Sequence, residues 1–176
     1  MTISLNGEET VYEAEALRGR NEIISIPEQE GGILIPSIHR QCGTPSYGGR
    51  LEIRPCEEGL LAINILPLEK YLEAVVPSEM PSTYEKEALK AQAVCARTYA
   101  WKQMQGSRLH EYGADVDDSV SYQVYQNVAP QESTTKAVRE TEGMILSQNG
   151  QPVEAYYFST SAGVTSTDEI WGVSET

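Results

Sequence analysis

The most regular helical spacing of apolar residues lies between residues 68 and 104 and predicts two consecutive helices. In the first helix, apolar side chains recur at i, i+3, i+4 and i+7, which places them on one face. That face consists of Leu68, Tyr71, Leu72 and Val75. Pro77 is expected to end this helix. Residues 82–85 read S-x-x-E, a capping box that predicts the start of the second helix.

Glu79 lies on the predicted connection between the two helices, with Pro77 and Pro81 on either side of it. Each proline fixes its own φ and restricts the residue before it, so the connection is expected to be stiff. The apolar residues closest in sequence are Val75, Val76 and Met80. A carboxyl in apolar surroundings is favoured in its protonated form, which suits a general acid. The competing interpretation is a solvated surface carboxylate, the commoner state of a glutamate.

Two cations on the second helix change the balance between these interpretations. Lys90 and Arg97 are separated by about two helical turns, so both project from one side of the helix. Small and apolar residues occupy nearly all sides of this helix, which predicts that it is largely buried. Because a buried cation needs a partner or a substrate, Glu79 and these two cations are candidates for chemistry.

Residues 1–66 are predicted to form a β-rich N-terminal subdomain. Short strand patterns occur at residues 33–35, 50–53 and 60–65, and glycine- and proline-rich turns separate them.

Residues 67–176 are predicted to form the core that carries Glu79. A polar crossing segment at residues 106–127 follows the helices, and then a short helix at residues 133–141. Asn149-Gly150 predicts a hairpin turn that pairs residues 144–147 with residues 153–159. The predicted fold class is therefore α+β. A helical hairpin packs on antiparallel strands, and Glu79 faces the turn at residues 159–165.

Three segments match the sequence pattern of one protein family. In the helical hairpin the matching residues are Tyr71, Leu72, Val75, Val76, Pro77, Glu79, Met80, Pro81, Glu87, Ala88, Leu89, Lys90, Ala91, Gln92, Ala93, Ala96, Arg97, Thr98, Tyr99 and Ala100. The later matches are Gln123-Val124-Tyr125, residues 158–165, Glu169, Trp171 and Gly172. Over roughly residues 45 to 172, the chain thus resembles the SpoIID/LytB family of cell-wall proteins. Its members include peptidoglycan lytic transglycosylases of sporulation and amidase enhancers.

This resemblance implies a lytic transglycosylase in which Glu79 is the catalytic acid. Most glycosidases use two carboxylates, whereas the family's lytic reaction needs one, because the C6 hydroxyl of N-acetylmuramic acid attacks its own anomeric carbon. Glu79 would protonate the glycosidic oxygen and then act as base toward that hydroxyl. A hydrolytic reaction would need a second carboxylate, for which Asp118 and Glu169 are the candidates.

The remaining family positions are expected to bind substrate. Lys90 and Arg97 could orient Glu79, bind the lactyl carboxylate of muramic acid or serve the structure. At least one of them is expected to face substrate or another carboxylate, such as Glu87 or Glu169. The substrate-binding candidates are Lys90, Arg97, Gln123, Tyr125, Ser159, Ser161 and Thr165. Capping or turn hydrogen bonds are the structural alternative for the three hydroxyl side chains.

The alternative function is a non-catalytic glycan-binding module that stimulates a cell-wall amidase. Retention of Glu79, Lys90 and Arg97 together favours the enzyme. In either case the resemblance implies an extracytoplasmic location at the cell surface, with peptidoglycan glycan strands and a cell-wall amidase as expected partners.

The composition adds constraints on partners and location. A net charge of −13 over 176 residues argues against nucleic acid or anionic membranes as partners. The sequence contains neither a signal-peptide pattern nor an apolar run of membrane-spanning length. For a wall-acting family, this predicts either that the chain is an excised domain or that export is specified elsewhere. Relatives usually continue beyond Trp171-Gly172, so a C-terminal truncation is also expected.

The three cysteines allow two arrangements. Cys42 and Cys56 flank a predicted hairpin and could pair in an exported protein, or remain separate thiols. Cys95 is expected to be a buried thiol in the second helix. A nucleophile formed by Cys42 and His39 is disfavoured, because no acidic orienting residue lies close in sequence.

The sequence departs from the family where some members bind zinc. Many members have Cys and His before the Gln-Val-Tyr segment and another His before the serine-rich turn. In this chain Asp117, Ser121 and Phe158 occupy those regions. The aspartates at 115, 117 and 118 lack the glycine and the other ligands of a calcium loop, so a solvated acidic loop is expected.

We therefore predict that the purified protein carries no stoichiometric zinc and needs no cofactor, since zinc sites want thiolate or imidazole ligands. Elemental analysis after dialysis measures this directly. One zinc per chain, lost on chelation together with the fold or the activity, would contradict the prediction.

Overall fold

The computed structural model describes residues 1–18, 22–40, 43–126, 128–161 and 163, and within them it confirms the α+β fold class. The strands are β1 (Thr2–Leu5), β2 (Glu8–Val11), β3 (Ile24–Ile26), β4 (Ile33–Leu34), β5 (Ser46–Tyr47), β6 (Arg50–Cys56), β7 (Gly59–Ile65), β8 (Ser147–Gln148) and β9 (Gln151–Pro152). The helices are α1 (Ala14–Arg18), α2 (Leu68–Glu79), α3 (Lys86–Gly106), a 3-10 turn (Arg108–Tyr112) and α4 (Glu132–Glu140).

The strands form antiparallel sheets in the orders β2-β1-β4-β5 and β3-β6-β7, with β8 and β9 as a separate pair. The β6–β7 hairpin is the longest pairing and runs from Arg50 opposite Ile65 to Cys56 opposite Gly59. The strand predictions for residues 33–35, 50–53 and 60–65 are confirmed with shifted ends. The β1–β2 hairpin and α1 were not predicted. Asn6-Gly7, with φ of 51° and 84°, forms the turn of that hairpin and was the signal for it.

The structure corrects two helix boundaries. Pro77 does not end α2, which continues to Glu79. Its last turn is closed by Met80 N–H, which donates to Val76 O at 2.9 Å, and by Ser78 Oγ, which donates to Ala74 O at 2.7 Å. Glu79 is therefore the last helical residue and does not lie on the connection.

The predicted capping box does not form. Residues 81–84 make a tight turn, in which Tyr84 N–H donates to Pro81 O at 3.0 Å, and α3 begins only at Lys86. Its N-cap residue, Glu85, makes no side-chain capping bond. The turn thus includes Ser82, which the capping box would need as its N-cap.

The hydrophobic core joins the helices to the sheets. Val75 and Val76 of α2 are fully buried in one cluster with Ile33, Leu51 and Ile53 from the strands. Ala93 and Ala96 of α3 belong to the same cluster, and their small side chains let α3 lie close to α2. The division of the chain at residue 66 stays a prediction.

Several further predictions meet the structure in the second half of the chain. The short helix α4 is confirmed, and the Asn149-Gly150 turn forms with φ of 52° and 76°, although only two residues pair on each side. Cys95 is half-buried, and burial raises the pKa of its thiol. The Cys42–Cys56 pairing is untested because Cys42 lies outside the described residues. In the described part of the chain, no helix has the length and apolar character needed to cross a bilayer.

Gly49 provides a stability test of the turn before β6. Its φ is +76°, and an added Cβ would lie 2.5 Å from the carbonyl oxygen of Ile65. Gly49→Ala should therefore lower the free energy of unfolding by roughly 1 to 3 kcal/mol. The matched control is Gly48→Ala, since a Cβ there meets nothing within 4 Å. Urea unfolding compares the two variants, and equal midpoints would contradict the assignment.

Candidate active site

The site is built around the carboxyl of Glu79, which is half-buried at the end of α2. Its Oε1 accepts a hydrogen bond from the backbone N–H of Val124 at 2.7 Å. The hydroxyl of Tyr157 lies 3.4 Å from the same oxygen and donates to it. No residue of the described ranges donates to Oε2. Within the described residues, the carboxyl is thus held by protein donors at one oxygen only.

The crossing segment around Val124 is fastened to the end of α2 by its backbone. Gln126 N–H donates to Ser78 Oγ at 3.3 Å, two residues beyond the bond from Val124 to Glu79. Tyr125 N–H donates to Asp118 O at 3.4 Å, which folds the segment back on itself. The backbone donor at Val124 is therefore held in place.

Gln123 is fully buried, and both ends of its side-chain amide are hydrogen-bonded. Its Nε2 donates to Ala96 O at 3.1 Å and to the hydroxyl of Tyr157 at 3.0 Å. Its Oε1 accepts from the hydroxyl of Tyr71 at 3.2 Å. The amide links α2, α3 and the residue that contacts Glu79, so direct substrate binding by Gln123 stays a prediction without support from its contacts.

Tyr125 belongs to a stack of aromatic rings, in which Tyr47 and Tyr125 are buried and Tyr71 is half-buried. Its ring lies 5.3 Å from that of Tyr71, with an interplanar angle of 10°, and 6.5 Å from that of Tyr47. Burial raises the pKa of Tyr71, Tyr125 and Tyr157 above the ordinary value, so these hydroxyls remain protonated near neutral pH. For Tyr71 and Tyr157 the nearby charge of Glu79 acts in the same direction.

Arg97 is only 1% exposed, and its guanidinium is surrounded by protein acceptors. Its Nε and Nη2 each donate to the carboxylate of Glu69 on α2 at 2.8 Å. It also donates to Val138 O on α4 at 3.1 Å and to Met144 O at 3.2 Å. Arg97 faces a carboxylate, as one alternative expected, but the carboxylate is that of Glu69. These contacts support a structural role.

Lys90 lies on the same helix in a more open position. Its Nζ is 3.2 Å from Glu87 and 3.9 Å from Glu140. Its side chain is 26% exposed, compared with 2% for Arg97. Neither cation has a recorded contact with Glu79, so the structure does not bring the three candidates together. Substrate binding by Lys90 stays a prediction.

The serine-rich turn is only partly described. Ser159 and Ser161 are exposed, and Ser161 Oγ accepts from Gly163 N–H at 3.3 Å, a local turn bond. Thr165 and Glu169 lie outside the described residues. The segment that leads into the turn contacts Glu79 through Tyr157. Because part of the turn lies outside the described residues, the expectation that it faces Glu79 stays a prediction.

The carboxylates of the acidic loop make separate contacts, of which the one made by Asp118 is long-range in sequence. Asp118 forms an ion pair with Arg40, and Asp115 lies 3.0 Å from His110. Asp117 accepts from Ser119 N–H at 2.8 Å. Within the ranges that the structure describes, no group of three or more His, Cys, Asp and Glu side chains could hold a metal.

Sequence reasoning missed two of the groups that touch or surround Glu79. The Val124 donor is a backbone group, which side-chain patterns do not reveal. Tyr157 lies in a strand-like Tyr-Tyr-Phe run, where nothing in the sequence distinguishes it from a packing residue. Elsewhere on α3, the Nε2 of Gln92 is buried one turn before Ala96 and has no hydrogen-bond partner among the described residues.

Comparison with known protein families matches residues 56–147, just over half of the chain, to SpoIID, described as stage II sporulation protein. The chain belongs to the SpoIID family. Glu79, Lys90, Arg97, Gln123 and Tyr125 all fall inside the matched range, whereas Tyr157 falls outside it.

Two relatives illustrate the breadth of the SpoIID family. Stage II sporulation protein D of Bacillus subtilis (strain 168) is 40% identical over 127 residues, which cover 64% of this chain and 37% of that protein. The amidase enhancer of the same organism is 38% identical over 104 residues, which cover 58% of this chain and 14% of that protein. The chain thus spans a little over a third of one relative and a seventh of the other.

The contacts of the two cations predict different effects on stability. Arg97→Ala removes a buried cation that joins three helices, and it should lower the free energy of unfolding by about 3 kcal/mol or more. Lys90→Ala breaks only partly exposed ion pairs and should cost less than about 1 kcal/mol. Urea unfolding of both variants checks this.

A result that contradicts the structural role is equally specific. Arg97→Ala would then unfold at the wild-type urea concentration and lose binding to purified glycan strands, which is the outcome expected of a substrate-binding residue.

Proposed function

We propose that this chain is a peptidoglycan lytic transglycosylase that cleaves the bond between N-acetylmuramic acid and N-acetylglucosamine. The observation that carries the proposal is the environment of Glu79 within the family match. The carboxyl is fixed through one oxygen by Val124 N–H at 2.7 Å, and its other oxygen has no donor in the described part of the chain. Such a carboxyl can exchange a proton with a ligand without first leaving a protein partner.

The proposed reaction uses Glu79 twice. Its carboxyl protonates the glycosidic oxygen as the bond to the anomeric carbon of N-acetylmuramic acid breaks, which releases the N-acetylglucosamine hydroxyl. The resulting carboxylate then takes the proton from the C6 hydroxyl as that oxygen bonds to the anomeric carbon. The products carry a 1,6-anhydro end, and Glu79 returns to its protonated form. No water molecule is consumed.

The surroundings of Asp118, one of the two candidate second carboxylates, favour this one-carboxylate reaction over hydrolysis. Hydrolysis needs a second carboxylate that activates water or attacks the sugar. Asp118 is occupied by its ion pair with Arg40. Asp118 has no hydrogen bond to Glu79. Glu169, the other candidate, lies outside the described residues.

The second candidate function is stimulation of a cell-wall amidase by a glycan-binding module. The observation in its favour is the 38% identity to a protein named amidase enhancer. Both candidates require contact with the cell wall, and hence an extracytoplasmic location with peptidoglycan strands as partner. They differ in whether Glu79 transfers a proton or only binds.

Glu79→Gln distinguishes the two functions. The amide keeps the shape of the side chain but cannot donate the carboxyl proton, so release of 1,6-anhydro products should fall roughly 10²- to 10⁴-fold. Binding to glycan strands should be retained. Mass spectrometry of the soluble products measures the reaction, and cosedimentation with insoluble strands measures binding.

The matched control is Glu85→Gln, which changes an exposed glutamate that makes no side-chain cap on α3. It should digest the strands at the wild-type rate. If wild type and Glu79→Gln were both inert on glycan and stimulated a cell-wall amidase equally, the enzyme would be refuted and the enhancer function supported.

A further inference from the structure

We propose that Gln123 and Tyr157 act as positioning residues that hold the carboxyl of Glu79 in one orientation, with Oε1 anchored and Oε2 carrying the proton toward substrate. The proposal rests on the proposed function, because it assigns the atom that performs the proton transfer. Gln123 thereby changes from a candidate ligand of the substrate to a residue that acts through another side chain.

The three neighbours of the Gln123 amide determine its orientation. Ala96 O can only accept a hydrogen bond, so the group that faces it at 3.1 Å must be the NH₂ of Gln123. The same NH₂ faces the hydroxyl of Tyr157 at 3.0 Å. The carbonyl of the amide therefore faces Tyr71, whose hydroxyl donates to it at 3.2 Å. The buried amide has one orientation that satisfies all three neighbours.

The hydrogen bond from Gln123 determines the direction of the Tyr157 proton. A tyrosine hydroxyl has one proton and can accept as well as donate. Because it accepts from Gln123, its proton is available for Glu79 Oε1, 3.4 Å away. That distance is long for a hydrogen bond, and such contacts often shorten once substrate is bound. Gln123 thus determines which way the Tyr157 donor points.

The two carboxyl oxygens of Glu79 differ in the number of donors that reach them. Oε1 receives donors from Val124 N–H and from Tyr157, whereas no described residue donates to Oε2. A carboxyl proton occupies the oxygen that has fewer donors, because a proton on Oε1 would face two other hydrogens. The acid therefore presents its O–H from Oε2. The same oxygen receives the proton back in the second half of the reaction.

Tyr157→Phe tests the proposal, because it removes one hydroxyl and keeps the ring. Release of 1,6-anhydro ends should fall roughly 10- to 100-fold in kcat, the size expected when one donor to a charged group is lost, with KM within about twofold of wild type. The matched control is Tyr156→Phe, the adjacent tyrosine, whose ring packs against Tyr99. It should retain the wild-type kcat.

Gln123→Met provides the readout that a purely structural role would not change. If Gln123 acts only through Tyr157, the double variant Gln123→Met/Tyr157→Phe should have nearly the same kcat as Tyr157→Phe alone. Should Gln123→Met fail to fold, Tyr157→Phe alone decides through its kcat and KM.

The outcomes separate this proposal from the proposed function. If the wild type is active and Tyr157→Phe has the same kcat, the positioning role is overturned and the proposed function is not. A loss of kcat that multiplies in the double variant would overturn the coupling between Gln123 and Tyr157. Wild type that releases no anhydro ends would refute the proposed function, and the positioning role with it.

Discussion

The helical part of the structure depends on the buried guanidinium of Arg97. A charge that is 1% exposed is stable only when its donors are satisfied, and Arg97 meets this condition with Glu69 on α2 and Val138 on α4. The three helices are thereby joined at one point. Glu69 lies near the start of α2 and Glu79 at its end, so the helix that Arg97 holds against α3 is also the helix that carries Glu79.

The site then follows from what this frame brings to the end of α2. The crossing segment supplies Val124 N–H, and the strand-like segment after β9 supplies Tyr157. Both donors reach the same oxygen of Glu79, so the carboxyl is asymmetric before any ligand arrives. This asymmetry suits the proposed reaction, in which one carboxyl first gives and then recovers a proton. The buried Gln123 connects the asymmetry to the packing of α2 and α3, since its amide contacts Tyr71 and Ala96.

The sequence predicts the parts of this arrangement that depend on local pattern. The α+β class, the helical hairpin, the strands of the β6–β7 hairpin and the Asn149-Gly150 turn are recognisable because periodicity and turn chemistry act over a few residues. The prediction that Pro77 ends α2 was wrong. A proline in the last turn removes one backbone N–H donor, and the neighbouring donors still close that turn. The roles of Arg97 and Gln123 were beyond local pattern. Apart from a contact of Arg97 with Ala93 on its own helix, their partners lie 28 to 47 and 27 to 52 positions away along the chain. Only tertiary packing determines whether such a polar residue faces a ligand or the protein.

The central claim is that Glu79 works without a water nucleophile, and the source of the oxygen at the cut end tests it most directly. Glycan strands are digested by the purified chain in water enriched in ¹⁸O, and the products are weighed by mass spectrometry. The 1,6-anhydro ring contains only oxygen atoms of the substrate, so the account predicts products free of ¹⁸O at the new end. One ¹⁸O atom per cut, on a reducing end that is not cyclised, would show hydrolysis and contradict the account.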